Sequence, residues 1–164
     1  RQRQMCIRDR CYTLRDAVSL PPHVQVHSDA VTELACHLCD ELEAHGHHFN
    51  QKLIRSGALL HDIARLQRHH AKTGGELFLQ LGYPEISQII SQHHGLLEAT
   101  LDEAAIVFLA DKLIQETQRV TIETRFADSM SKCKSPEARK AHEQQLEQAR
   151  KLQDIIQSLC HITL

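Results

Sequence analysis

Apolar residues recur every third or fourth position along almost the whole chain, and nowhere do they alternate in the two-residue rhythm of a half-buried strand. That pattern predicts an all-α fold, a bundle of about six to seven helices. Val26, Ala30, Val31, Leu34, Leu38 and Leu42 form one stripe, with Pro21-Pro22 blocking any helix before it, His27 or Ser28 near its start, and Gly46 ending it. Asn50 caps a second helix that carries Leu53, Ile54, Leu60, His61 and Ala64 on its buried side, where the small Gly57 and Ala58 allow close approach of a neighbour. After a polar break over 67–73, a third helix is expected from about Gly74 to Leu81. Gly82-Tyr83-Pro84 makes a turn, and Pro84 suits the first turn of a fourth helix bearing Ile86, Ile89, Ile90 and His93. A fifth spans roughly Asp102 to Glu116, and Ser135-Pro136-Glu137 starts a long last one with Ala138, Ala141, Ala149, Leu152, Ile155, Ile156 and Leu159 on one side.

The length of 164 residues suits one domain with a sizeable core. Aromatic residues make up only 4% and Trp is absent, so that core must be aliphatic. The net charge of −2 comes without a dense Lys/Arg stripe, which argues against nucleic acid as a partner. No run reaches the about 18 apolar residues of a membrane span, so no membrane partner is expected. The first ten residues, RQRQMCIRDR, lack the apolar stretch of a signal peptide and differ in character from the rest. They resemble translated sequencing-adapter sequence and are set aside from the fold; the true N-terminus is then expected to be missing, and the compartment to be the cytoplasm, with reduced thiols. Cys36 and Cys39 have CxxC spacing but no second pair, and read as two small residues of a helix rather than a zinc site.

Thirteen histidines are the compositional outlier. Those at 23, 37, 45, 47, 48, 142 and 161 read as surface residues. The others stand in apolar or acidic surroundings. His61-Asp62 interrupts the apolar run GALLHDIAR, at an expected mid-helix position and roughly 100° apart around its axis. A carboxylate buried there is costly unless it is paired or bound to a cation. His27 precedes this pair; His70, with His69 as its alternative, and His93-His94 follow it; Asp111 ends five consecutive apolar residues and asks for a counter-charge. His and carboxylate groups gathered on several apolar helices point to a metal site inside the bundle.

The ordered set His27, His61-Asp62, His70, His93-His94 and Asp111 resembles the HD-domain metal-dependent phosphohydrolase superfamily, over about Pro22 to Leu113. The resemblance rests on His27-Ser28, on LLHDIAR at 59–65, on His70 followed by Gly74, on the segment from Ile89 to His94, and on Ala110-Asp111-Lys112-Leu113. It implies an all-α bundle with a central metal site. His27, His61, Asp62 and Asp111 match the basic single-metal set, and His70 with His93 or His94 the extra histidines of two-metal members, with Asp62 as the bridge. The complete set favours two ions over one, and Fe, Mn, Co or Zn suit its mixed ligands.

The implied organisation is an N-terminal segment 1–20, an HD core 21–118 and a helical extension 119–164. The implied activity is hydrolysis of a phosphoester or phosphoanhydride of a nucleotide or similar small phosphate compound by a metal-activated water. Arg65, one turn past His61, is a candidate phosphate clamp or a solvated charge; Lys72 and Lys112 read as surface or stabilising charges. The resemblance also admits two alternatives, a di-iron oxygenase and a non-catalytic nucleotide-binding or signalling module. The amphipathic last helix allows a homo-oligomer.

Overall fold

The computed structural model describes residues 7–164. Eight helices and one two-stranded ribbon make up the fold among the described residues. In chain order they are α1 (Ile7–Ala17), α2 (Pro22–Ala44), α3 (Gln51–Leu60), α4 (His70–Gln80), α5 (Pro84–Gln92), α6 (Glu103–Lys112), β1 (Ile114–Gln115), β2 (Gln118–Arg119), α7 (Ile122–Met130) and α8 (Pro136–Cys160). The all-α expectation holds, with one more helix than the upper count.

α6 is the central rod. Every residue from Ala104 to Leu113 is buried, because α2, α3, α5, α7 and α8 surround it. A helix apolar all round is the form that a fully enclosed element must take. Its carboxylate and ammonium, Asp111 and Lys112, are buried at its C-terminal end, 4% and 6% exposed. The core around it is aliphatic apart from Phe108 and Phe126, as the scarcity of aromatics predicts. Cys36 and Cys39 lie inside α2, both buried, and burial pushes the Cys39 thiol up to about 11.

Two close approaches fix how the helices meet. A methyl group on Gly57 of α3 would lie 2.6 Å from Ile89 Cγ2 of α5. One on Gly75 would lie 2.9 Å from Ser91 Cβ, again on α5. Gly74 and Gly75 therefore sit within α4 as packing residues, rather than at the tight start of a third helix; that helix begins four residues earlier, at His70.

The structure departs from the sequence expectation at several boundaries. His61 and Asp62 are not in mid-helix: α3 ends at Leu60, and His61 is its C-cap. The backbone continues as tight turns in which the amides of Ile63, Arg65 and Gln67 each bond a carbonyl three residues back. The sequence cannot distinguish these turns from helix, because Ile63 and Ala64 keep facing inward. α2 starts at Pro22, so His27 lies in its second turn. Val26, placed on the core stripe, is 49% exposed. α6 stops at Lys112 rather than near Glu116, because the chain turns back there into the antiparallel β1–β2 ribbon, with Ile114 opposite Arg119.

Residues 7–10, set aside above with the six before them, belong to α1; residues 1–6 of that segment lie outside the described residues. α1 packs on α3, and its buried Arg15 holds Asp29 of α2 at 2.6 Å. α8 is built into the main core through Ala149, Leu152, Ile156 and Cys160, whereas Ala138 and Ala141 near its start are exposed. Gln148 of α8 pins the loop after α5: its amide NH₂ donates to the Leu96 carbonyl at 2.8 Å, and its carbonyl accepts from the Leu96 amide at 3.0 Å. No helix of the described residues is long and apolar enough to cross a membrane.

Candidate metal centre

The ligand candidates come from five places: His27 from α2, His61 and Asp62 from the end of α3, His70 from the start of α4, His93 and His94 from the end of α5, and Asp111 from α6. The structure brings all seven together. His27, His61 and Asp111 form one group whose ligand atoms lie within 4.8 Å of one another; His70, His93 and His94 form a second to the same limit. Both histidines of the 93–94 pair belong to that group. His69, the alternative to His70, is exposed and outside it; it caps α4 with a left-handed backbone at φ 51°.

Asp62 stands between the groups. Its Oδ1 is 3.1 Å from His70 Nε2 and 3.4 Å from His93 Nε2, and its Oδ2 is 3.7 Å from His61 Nε2. Asp111 Oδ1 is 3.1 Å from His27 Nε2 and 3.6 Å from His61 Nε2. The ring centroids of His61 and His93 are 5.0 Å apart, linking the two groups edge to face.

The rings are aimed by backbone carbonyls. A helix leaves its last four carbonyls without intrahelical donors. His61 and His93 are C-caps, and each places Nδ1 on the carbonyl three residues back: His61 on Ala58 at 2.7 Å, His93 on Ile90 at 2.6 Å. His27 does the same across the fold, with Nδ1 2.8 Å from the Glu116 carbonyl. In each ring Nδ1–H therefore donates, and Nε2 is left as a lone-pair donor facing the site. Glu116 holds its carbonyl there from a left-handed conformation, φ 55°, which is strained by about 1–2 kcal/mol for a residue with a side chain. None of these carbonyls is marked in the sequence, since any residue type supplies one.

A test of fit to a cation lies in the unsatisfied atoms. His61 Nε2, Asp62 Oδ1 and His93 Nε2 are buried without a hydrogen-bond partner. Leaving such groups unpaired is costly, and native interiors do so rarely. All three belong to the constellation just described, so the donor set suits bound cations.

The electrostatics agree. Burial alone would raise the pKa of Asp62, but His70 and His93 overcome it and hold the carboxyl well below the ordinary carboxylate range. Asp111 is likewise held far down, by Lys112, His27 and His61 against the same effect of burial. Burial disfavours protonated His61, yet the nearby carboxylates of Asp111 and Asp62 lift it above its usual value. His93 is pushed down, chiefly by burial. Lys112 Nζ donates to Asp111 Oδ2 at 2.8 Å and to the His93 carbonyl at 2.9 Å, so it braces the site; Lys72 is a surface charge 3.8 Å from Glu76.

The site opens into a cleft of about 640 Å³, whose walls include Arg65, Gln115, Arg125 and Lys132. Arg65 is half-exposed at the rim, its guanidinium 3.3 Å from His70 Nε2 and 3.8 Å from Asp62 Oδ1. Arg125 and Lys132, on and just beyond α7, are wall residues that sequence reasoning missed. A second groove, of about 700 Å³, runs between α1, α3 and the α4–α5 turn; it is largely apolar and contains none of the ligand candidates.

Comparison with known proteins agrees with this geometry. A family model described as HD domain matches residues 24–115, which span His27 to Asp111. The chain is 34% identical over 122 residues to the uncharacterized protein MJ0778 of Methanocaldococcus jannaschii, covering 62% of this chain and 72% of that one. It is 31% identical over 97 residues to Ribonuclease Y of Treponema denticola, covering 56% of this chain but only 18% of that much longer protein. No solved structure matches the chain. With the family model covering more than half of the chain and its His and Asp groups assembled at the core, the chain belongs to the HD-domain superfamily of metal-dependent phosphohydrolases.

Proposed function

We propose that the protein hydrolyses a phosphoester or phosphoanhydride bond of a small phosphate compound, a nucleotide or a molecule like it, with two divalent transition-metal ions held by the two triads and bridged by Asp62. The observation that carries this reading is the position of Asp62, within 3.1–3.7 Å of histidines from both groups and with a buried Oδ1 that no hydrogen bond satisfies. Cations bound there would neutralise phosphate oxygens and bring the pKa of a water to near 7. The chain supplies the rest. Backbone carbonyls hold the Nε2 atoms of His27, His61 and His93 inward. Lys112 offsets the charge of Asp111. Arg65, at the rim beside Asp62, offers a planar pair of N–H donors to a phosphate in the cleft. The likeness to a protein named as a ribonuclease agrees with phosphoester cleavage.

The test is phosphate or nucleotide release from mononucleotides, cyclic nucleotides and dinucleoside polyphosphates, with Mn(II) or Fe(II) supplied, for the wild type and Asp62→Ala. Turnover of one class by the wild type, abolished in a folded Asp62→Ala protein, is the expected result. Silence across the panel from a folded, metal-loaded wild type, with oxygen consumed instead, would overturn the reading in favour of iron-oxygen chemistry.

A further inference from the structure

Among the cations along the cleft, Arg125 differs from the others. Lys112 is paired with Asp111, Lys132 with Asp128 at 2.9 Å, and Arg65 faces Asp62. The Arg125 guanidinium has no ion pair or hydrogen bond among the described residues, and its Nε is buried without a partner. A permanently charged group with a desolvated, unsatisfied donor is costly unless an anion completes it. Its surroundings are formed, not open: it lies on α7, where Ile122 and Phe126 are buried in the main core. It lines the same cleft as His27, Asp62, His93, His94 and Asp111. α7 begins seven residues beyond the stretch that matches the family model, so Arg125 lies outside that stretch.

We infer that Arg125 binds a second anionic group of the substrate, distinct from the phosphate at the metal centre, and that α7 is thereby the element that selects doubly anionic phosphate compounds. A guanidinium donates two parallel N–H bonds to a phosphate or a carboxylate, and either anion fits this chemistry. The inference rests on the metal-centred phosphate site proposed above.

The experiment uses the full chain loaded with Mn(II) and a ruler of synthetic ligands, each measured by titration calorimetry. Straight-chain alkylphosphonates are compared with bisphosphonates and ω-carboxyalkylphosphonates of the same carbon count. The readout is the ratio of affinities between doubly and singly charged ligands of one length. At the matching length the wild type should favour the doubly charged ligand by about tenfold or more, the scale of a charge-assisted bond. That ratio should fall towards one in Arg125→Ala and be partly kept in Arg125→Lys. Preference for the bisphosphonate or the carboxylate series identifies the second anion. A ratio near one at every length in the wild type, or a ratio that survives Arg125→Ala, would overturn the inference while leaving the phosphate site intact. Failure of every alkylphosphonate to bind would overturn the phosphate site itself, and the inference with it.

Discussion

At the scale of single residues, each inward-facing ligand atom depends on a carbonyl. His61 and His93 exploit the unpaired carbonyls at the ends of α3 and α5, and His27 depends on Glu116 in the turn of the β1–β2 ribbon. Removing a direct ligand should cost more than the about 10–100-fold in metal affinity typical of lost supporting bonds. In His27→Ala, one ion should therefore weaken by more than about 100-fold while the His70–His93–His94 group keeps the other, as read by metal titration. Equal loss of both ions would mean that the triads are not separate. The ligand types were legible in the sequence because a histidine or carboxylate on an apolar run is chemically conspicuous. Arg125 was not, because a lone arginine in an amphipathic helix looks like any solvated charge. His142, read as a surface residue, is half-buried, with Nε2 2.6 Å from Ser129 Oγ and its ring against Phe126.

At the scale of elements, the contacts between helices carry their own predictions. Gly57→Ala places a methyl group 2.6 Å from Ile89, and overpacking of this kind destabilises by about 1–3 kcal/mol, more than the gain in helix propensity from replacing glycine. Urea unfolding should show that loss; an unchanged midpoint would mean that α5 can shift away from α3 freely. Where α7 meets α8, His142 is held below its usual pKa by burial and by the charges of Lys112 and Arg125. A depressed histidine contributes stability that is present above its unfolded pKa of about 6.5 and lost as the pH falls towards the folded value. The drop in stability between pH 7.5 and 5.5 should thus be smaller in His142→Gln than in the wild type, and equal drops would contradict the assignment. The helices α2, α5 and α8 were legible from their periodicity and their prolines, since a stripe of apolar residues must bury itself. The end of α3 was not, because three-residue turns keep the apolar residues facing inward as a helix does. The two-residue strands of the β1–β2 ribbon are too short to show any alternation.

At the scale of the whole molecule, the fold is a frame that brings side chains up to 84 residues apart into one site around the end of α6. α2, α3, α4 and α5 deliver the histidines, α6 delivers Asp111, and α8 braces the loop after His94 through Gln148. The apolar face of α8's second half is already covered by the chain's own core. The bundle and its central site followed from the residue pattern, whereas the shape of the cleft depends on where α7 and the ribbon fold back, which only the three-dimensional structure reveals. The central claim is that Asp62 joins two triads into one centre for two ions. Its most direct test is the number of metal ions bound per chain, by elemental analysis after equilibration with Mn(II) or Fe(II), in the wild type and in Asp62→Ala proteins of equal helicity. Two ions in the wild type, and one or none in a folded variant, is the predicted result; two ions in both, or none in the wild type, would contradict the account.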